Sequence, residues 1–164
     1  MSDVVDLGKK RPARDTLEGY EPLLLSSQDL VNTYWGATAP LLEKVVEESM
    51  HGEMTVQDMY DSVLAGRFYA FVLKNDEGES PDVAFVLILE INKYPQLNMM
   101  NIVALGGRQL DLLRSKYWSH ICGWAYMNGA RQLEALVSPN MERVLEEFGF
   151  KEVYKLVRLD LTEM

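Results

Sequence analysis

The hydrophobic period of the chain changes near residue 66. Before it, apolar residues recur at helical spacing; after it, they fall in short dense or alternating runs. Residues 1–19 show neither pattern, because Gly8, Pro12 and Gly19 interrupt them. Leu23, Leu24 and Leu25 form a short apolar run that suits an edge strand. Ser26-Ser27-Gln28-Asp29 then reads as a helix start, with Leu30, Val31 and Tyr34 at helical spacing and Trp35-Gly36 as its close. Pro40 fits the first residue of a second helix, whose Leu41, Leu42, Val45 and Val46 share a face. Thr55 and Asp58 make a capping-box start for a third helix. Met59, Tyr60, Val63 and Leu64 are its stripe, and Gly66 is its stop.

The second half predicts mainly strands. Phe68 to Leu73 and Val83 to Leu89 pair across a turn at Asn75 to Gly78, and a third strand spans Asn98 to Leu105 and ends at Gly106-Gly107. Asp111 to Asn128 is helical, with Leu112, Leu113, Tyr117, Ile121, Trp124 and Ala125 on one side. A strand at Gln132 to Val137 follows, then a short helix from Ser138-Pro139 through Glu147, capped by Gly149. Val153 to Leu161 alternates and predicts a final antiparallel strand. The whole is an α/β chain of the α+β kind, with a mixed, mostly antiparallel central sheet and helices on both faces. Residues 1–25 form an N-terminal arm, and residues 26–164 a single domain.

Composition narrows the function classes. The 164 residues suffice for one core, and no apolar run approaches the roughly 20 residues that span a bilayer. Asp3, Asp6 and Lys9 to Arg11 leave no room for the apolar stretch of a secretory signal. The lone Cys122 excludes an internal disulfide and fits a reducing cytoplasm, and two distant histidines with one cysteine argue against structural zinc. Net charge is -9, which argues against nucleic acid as the main partner. Residues 1–14, with Lys9, Lys10, Arg11 and Arg14 against Asp3 and Asp6, are net +2 and leave the body at -11. This basic arm is either a docking tail or an irregular terminus.

Tyr34-Trp35, Thr55 to Gly66, Gly106-Gly107, Trp118 with Trp124, and Arg143-Val144-Leu145 with Gly149-Phe150 occur in a characteristic order. In that order the chain resembles the GNAT N-acyltransferases over roughly Tyr34 to Leu161, and within them the small GNAT-like proteins of tailed bacteriophages. The resemblance implies an acetyl-CoA or other acyl-CoA cofactor held where the central strand splays from its neighbour. It places that cofactor on Leu105, Gly106, Gly107, Arg108 and Asn140. It also implies a setting in the cytoplasm of an infected bacterium or in the virion, with a phage structural or host protein as partner through the N-terminal arm.

Amine acylation needs a base for the amine, donors for the oxyanion and a proton for the departing thiolate. In the family the oxyanion donor is commonly a backbone N–H of the central strand, here near Ile102 to Leu105. Glu90 and Glu134 are the candidate bases; each otherwise reads as a solvated strand-edge residue. Three positions depart from the family pattern. With Arg108 aligned to the start of the phosphate turn, Asp111 and Leu113 stand where small residues are usual, and Leu145 stands where a tyrosine often serves as the acid. His120 reads as a helix-surface residue, and Cys122 as a small buried hydrophobe. Met99, Met100, Met127 and Met141 read as core, or else as an adaptable partner surface. Two functions stay open: acyl transfer to an amine, or a non-catalytic GNAT-fold protein for virion assembly or host interaction.

Overall fold

The computed structural model of the protein describes residues 17–163. Five strands, β1 (Glu21–Leu24), β2 (Phe68–Asn75), β3 (Asp82–Lys93), β4 (Asn98–Gly107) and β5 (Ala130–Ala135), form one sheet in the order β1-β2-β3-β4-β5. Every neighbouring pair is antiparallel except β4 with β5, which is parallel. The parallel pair requires a crossover. It consists of one α-turn, α3 (Leu110–Leu112), a π-helical turn (Leu113–Tyr117) and α4 (Trp118–Met127).

Helices cover both faces, as the pattern predicts. On one face, α1 (Gln28–Ser49) and α2 (Val56–Leu64) pack Val31, Tyr34, Leu42, Val56, Met59 and Val63 on Phe68, Ala70, Val72, Val86 and Ile88. On the other, Leu113, Ile121 and Ala125, with Leu145 of α5 (Pro139–Glu146), pack on Leu73, Phe85, Leu87, Leu89, Met100 and Ile102. β3 is sandwiched between these cores, which explains its unbroken apolar run from Val83 to Leu89.

Local chemistry fixes the ends. Ser27 accepts from the Leu30 N–H at 3.2 Å, and Thr55 and Asp58 exchange both bonds of a capping box. Ser138 caps α5 by accepting from the Met141 N–H at 3.4 Å, with Pro139 as its first residue.

Three expectations change. The two helices expected before residue 50 are one, because α1 runs through Pro40. Val31, Tyr34 and Leu42 are buried on both sides of the proline, so packing on the sheet carries the helix through it despite the lost backbone bond. Met127 is 82% exposed rather than core, because it follows the buried Ala125 onto the solvent side of α4. Val153 to Leu161 is not a strand. Phe150 is held against Trp118, while Arg158 pairs with Glu53 between α1 and α2, so this stretch does not run beside β5. Alternation makes a strand only where a sheet edge lies alongside.

Candidate functional site: an opening between β4 and β5

β4 and β5 stay together only from Asn98 opposite Ala130 to Ile102 opposite Ala135. β4 then continues alone to Gly107, whereas β5 ends two residues before the expected Val137. Leu136 and Val137 swing away toward α5, and both are exposed. The resulting cleft is lined by Val103, Ala104 and Leu105 on one side and Leu136, Val137 and Met141 on the other, with Val45 of α1 at its wall.

At the same place β4 carries an irregularity. Ile88 faces Ala104 and Leu89 faces Ile102, so Val103 is an extra residue against β3. A bulge of this kind re-aims backbone groups and is frequent beside active sites. Beyond Ile102 no β5 residue faces β4, so its polar backbone groups on that side open into the cleft.

Polar side chains stand beside the last paired residues, next to the cleft. Glu90, Asn101 and Glu134 lie directly opposite one another across β3, β4 and β5, on the face that packs α1 and α2. All three are half-buried. The Asn101–Glu134 pair comes immediately before Ile102–Ala135, the last pair before the strands part. The two candidate bases therefore share one site. Asn92 donates to Glu134 Oε2 at 3.2 Å, and the Tyr94 hydroxyl donates to the same oxygen at 3.0 Å. The bond to the Glu134 carboxylate pushes the Tyr94 hydroxyl above its usual range, since it favours the protonated phenol. Sequence reading had not singled out Asn92 and Tyr94. Their signal was the period-two polar run Glu90, Asn92, Tyr94.

The Gly106-Gly107 turn is packed against the protein itself. A Cβ on Gly106 would come within 2.6 Å of Val45 Cγ2, and one on Gly107 within 2.4 Å of the Ala84 carbonyl oxygen, at a φ of 122°. Both glycines thus let β4 approach α1 and β3 closely. The Arg108 N–H donates to Ala84 O at 2.9 Å, and its guanidinium meets Asp82 Oδ2 at 2.9 Å and the Tyr20 hydroxyl at 3.0 Å. Tyr20 also donates to Asp82. The hydrogen bond from Tyr20, then that from Arg108, holds the Asp82 carboxyl below the usual range. Gln109 adopts a left-handed φ of 64° just before α3, which it leaves without a side-chain cap. Asp111 is exposed in the first turn. Asn140 is exposed in the first turn of α5, and its neighbours Ser138 and Met141, not Asn140, line the cleft. Leu145 is 3% exposed and lines the cleft floor. His120 is exposed as expected, and half-burial raises the Cys122 thiol. Among the described residues no group of His, Cys, Asp and Glu could hold a metal ion. No helix among them is long and apolar enough to cross a membrane.

The opening offers an extended backbone edge and apolar walls, with the carboxylates next to it. It is narrow: the cavity measures about 40 Å³, enough for a few waters. Widening falls to Leu136 and Val137, which are exposed and outside the sheet.

No protein-family model matches the chain, and no curated protein matches it. Solved structures do. A probable acetyltransferase superimposes with a TM-score of 0.63 at 13% identity, over 86% of this chain and 97% of that one. The aminoglycoside N-acetyltransferase AAC(6')-Iy in complex with CoA gives 0.61 at 13%, over 87% and 96%. Glucosamine-6-phosphate N-acetyltransferase from Arabidopsis thaliana gives 0.60 at 11%, over 86% and 99%. At such identities the likeness speaks for architecture, and the chain therefore has the GNAT-like fold that these acetyltransferases share.

Proposed function

We propose that the protein is an acyl-CoA-dependent N-acyltransferase whose acyl thioester lies in the β4–β5 opening and whose amine acceptor enters at Glu90, Asn101 and Glu134. The observation that carries this reading is the coincidence of three features at one point: the parting of the strands after Ile102, the bulge at Val103 and the two carboxylates beside them. When bound, acyl-CoA supplies the electrophilic carbonyl carbon of a thioester. Glu134, held by Asn92 and Tyr94, takes the proton that the amine loses as its nitrogen bonds to that carbon. Glu90 adds negative charge that favours a cationic amine. A backbone N–H of the 103–105 stretch that turns toward the cleft is the oxyanion donor. The departing sulfur takes its proton from water, since Leu145 has none to give. In keeping with the sequence resemblance, the setting is a phage-infected bacterium.

A second reading has its own support. The cleft is narrow, Leu145 replaces a proton donor, and Arg108 is already paired with Asp82 and Tyr20. These features favour a GNAT-fold protein without catalysis, acting in virion assembly or on a host factor. Titration calorimetry with acetyl-CoA and CoA decides between them. The first reading expects saturable binding that Val137→Trp abolishes by filling the cleft from its exposed rim. Absence of binding would leave the second.

A further inference from the structure

We infer that residues 3–7, from Asp3 to Leu7, seat in the groove between β1 and α4 of their own chain, and that the basic stretch Lys9 to Arg14 passes the acidic turn between β2 and β3 on the way there. The groove shares no lining residue with the β4–β5 opening, so the seating does not depend on acyl transfer.

The groove measures about 430 Å³ and is lined by Leu23 and Leu24 of β1, Phe71 of β2, Phe85 of β3, and Tyr117 and His120 of the crossover. Apolar walls of this extent gain by being covered. The helical wall is basic in an acidic chain. From Leu112 to Leu133 there is no Asp or Glu, while Arg114, Lys116 and Arg131 are present and the whole chain carries -9. Arg114 and Lys116 stand exposed in the π-helical turn that ends at Tyr117, with Lys116 Nζ 5.4 Å from the centre of the Tyr117 ring. What suits this groove is apolar with negative charge beside it.

The described chain begins next to an acidic turn. Leu17 is buried in the core on the groove's face of the sheet. A Cβ on Gly19 would come within 2.8 Å of Glu77 Oε2, so the chain here runs against the β2–β3 turn. Asp76, Glu77, Glu79 and Asp82 put four carboxylates around that turn. Lys74 pairs with Asp76 and Arg108 with Asp82, whereas Glu77 and Glu79 form no ion pair with another described residue.

Residues 1–16 carry the complementary pattern in the matching order. Counting back from Leu17, the cations Arg14, Arg11, Lys10 and Lys9 come first, where the carboxylates are. After Gly8 come Leu7, Val5 and Val4, flanked by Asp6 and Asp3, which match the apolar groove and its basic wall. The ten residues from Leu7 to Leu17 reach up to roughly 35 Å, well beyond the roughly 13 Å length of four-residue β1. Tethering holds the segment at millimolar effective concentration, which favours the same chain over a second copy.

Disulfide trapping on the full chain tests the seating. In a Cys122→Ser background, Val5→Cys with His120→Cys is expected to form a bond within one chain on oxidation, read as loss of both thiols in a band that stays monomeric on a non-reducing gel. Retained thiols, or a bond between chains, would overturn it. Amide shifts of the ¹⁵N-labelled chain give a second reading without introduced cysteines. Asp3→Lys with Asp6→Lys, or removal of residues 1–16, is expected to move Leu23, Phe71, Tyr117 and His120 and to leave Ile102 to Leu105 in place. Shifts that stop at Leu17 to Tyr20, with the groove unmoved, would contradict the seating.

Discussion

In the proposed acyl transfer, Glu134 is the side chain on which the chemistry turns. Asn92 and Tyr94 both donate to its Oε2, leaving its other oxygen without a bond among the described residues. Glu134→Gln is expected to leave CoA affinity within about twofold and to slow acyl transfer by roughly 10²–10⁴, the usual range for loss of a general base. It should also lower the Tyr94 pKa, because the phenol loses a charged acceptor; ultraviolet titration of the tyrosines reads this without any activity. A second residue-scale test concerns acid. The hydrogen bond from Arg158 first, then that from the His51 backbone N–H, holds Glu53 at about 2, against an ordinary 4.5. Since the folded value is the lower, the stability it contributes is complete above the unfolded value. It is lost as pH falls from about 4.5 toward about 2. Arg158→Ala should therefore flatten the acid limb of a urea-denaturation series in that window, and most clearly at low salt.

At the scale of elements, the β4 turn shows what its two glycines do for packing. Gly106-Gly107 resembles a phosphate cradle in the sequence, yet the space beside each glycine is filled by α1 or β3. Gly107→Ala is expected to destabilise the fold by about 2–3 kcal/mol, through a positive φ and a clash with Ala84. Thermal unfolding measures this; a neutral result would mean that the turn is free to rearrange. Most elements were legible because each announces itself locally: the Thr55–Asp58 box, the Ser138-Pro139 cap and the twin apolar strands of the hairpin. Three misreadings share one cause, which is that partners distant in sequence decide the outcome. Pro40 is tolerated inside α1 because Tyr34 and Leu42, on either side of it, pack on the sheet. Met127 and the 153–161 stretch depend on which surface lies alongside. Glu90 was legible at the end of an apolar strand and Glu134 within the strand after the long helix. Their alignment with Asn101 was not, because register across three strands is not written in any one of them.

For the whole molecule, the layered architecture puts the strand opening where three elements meet: the end of α1, the free stretch of β4 and the start of α5. A larger space of about 430 Å³, lined by Leu23, Phe71, Tyr117 and His120, lies on the opposite side of the sheet from α1. The proposal puts acyl-CoA in the smaller opening because the unpaired β4 backbone and the bulge lie there, with the carboxylates next to it. Amide chemical-shift mapping in a ¹⁵N-labelled sample titrated with CoA separates the two places. Shifts centred on Ile102 to Leu105 and Leu136 to Ser138, and absent in Val137→Trp, are the expected result. Shifts confined to the Leu23–Phe71–His120 groove, or none at saturating CoA, would contradict the account.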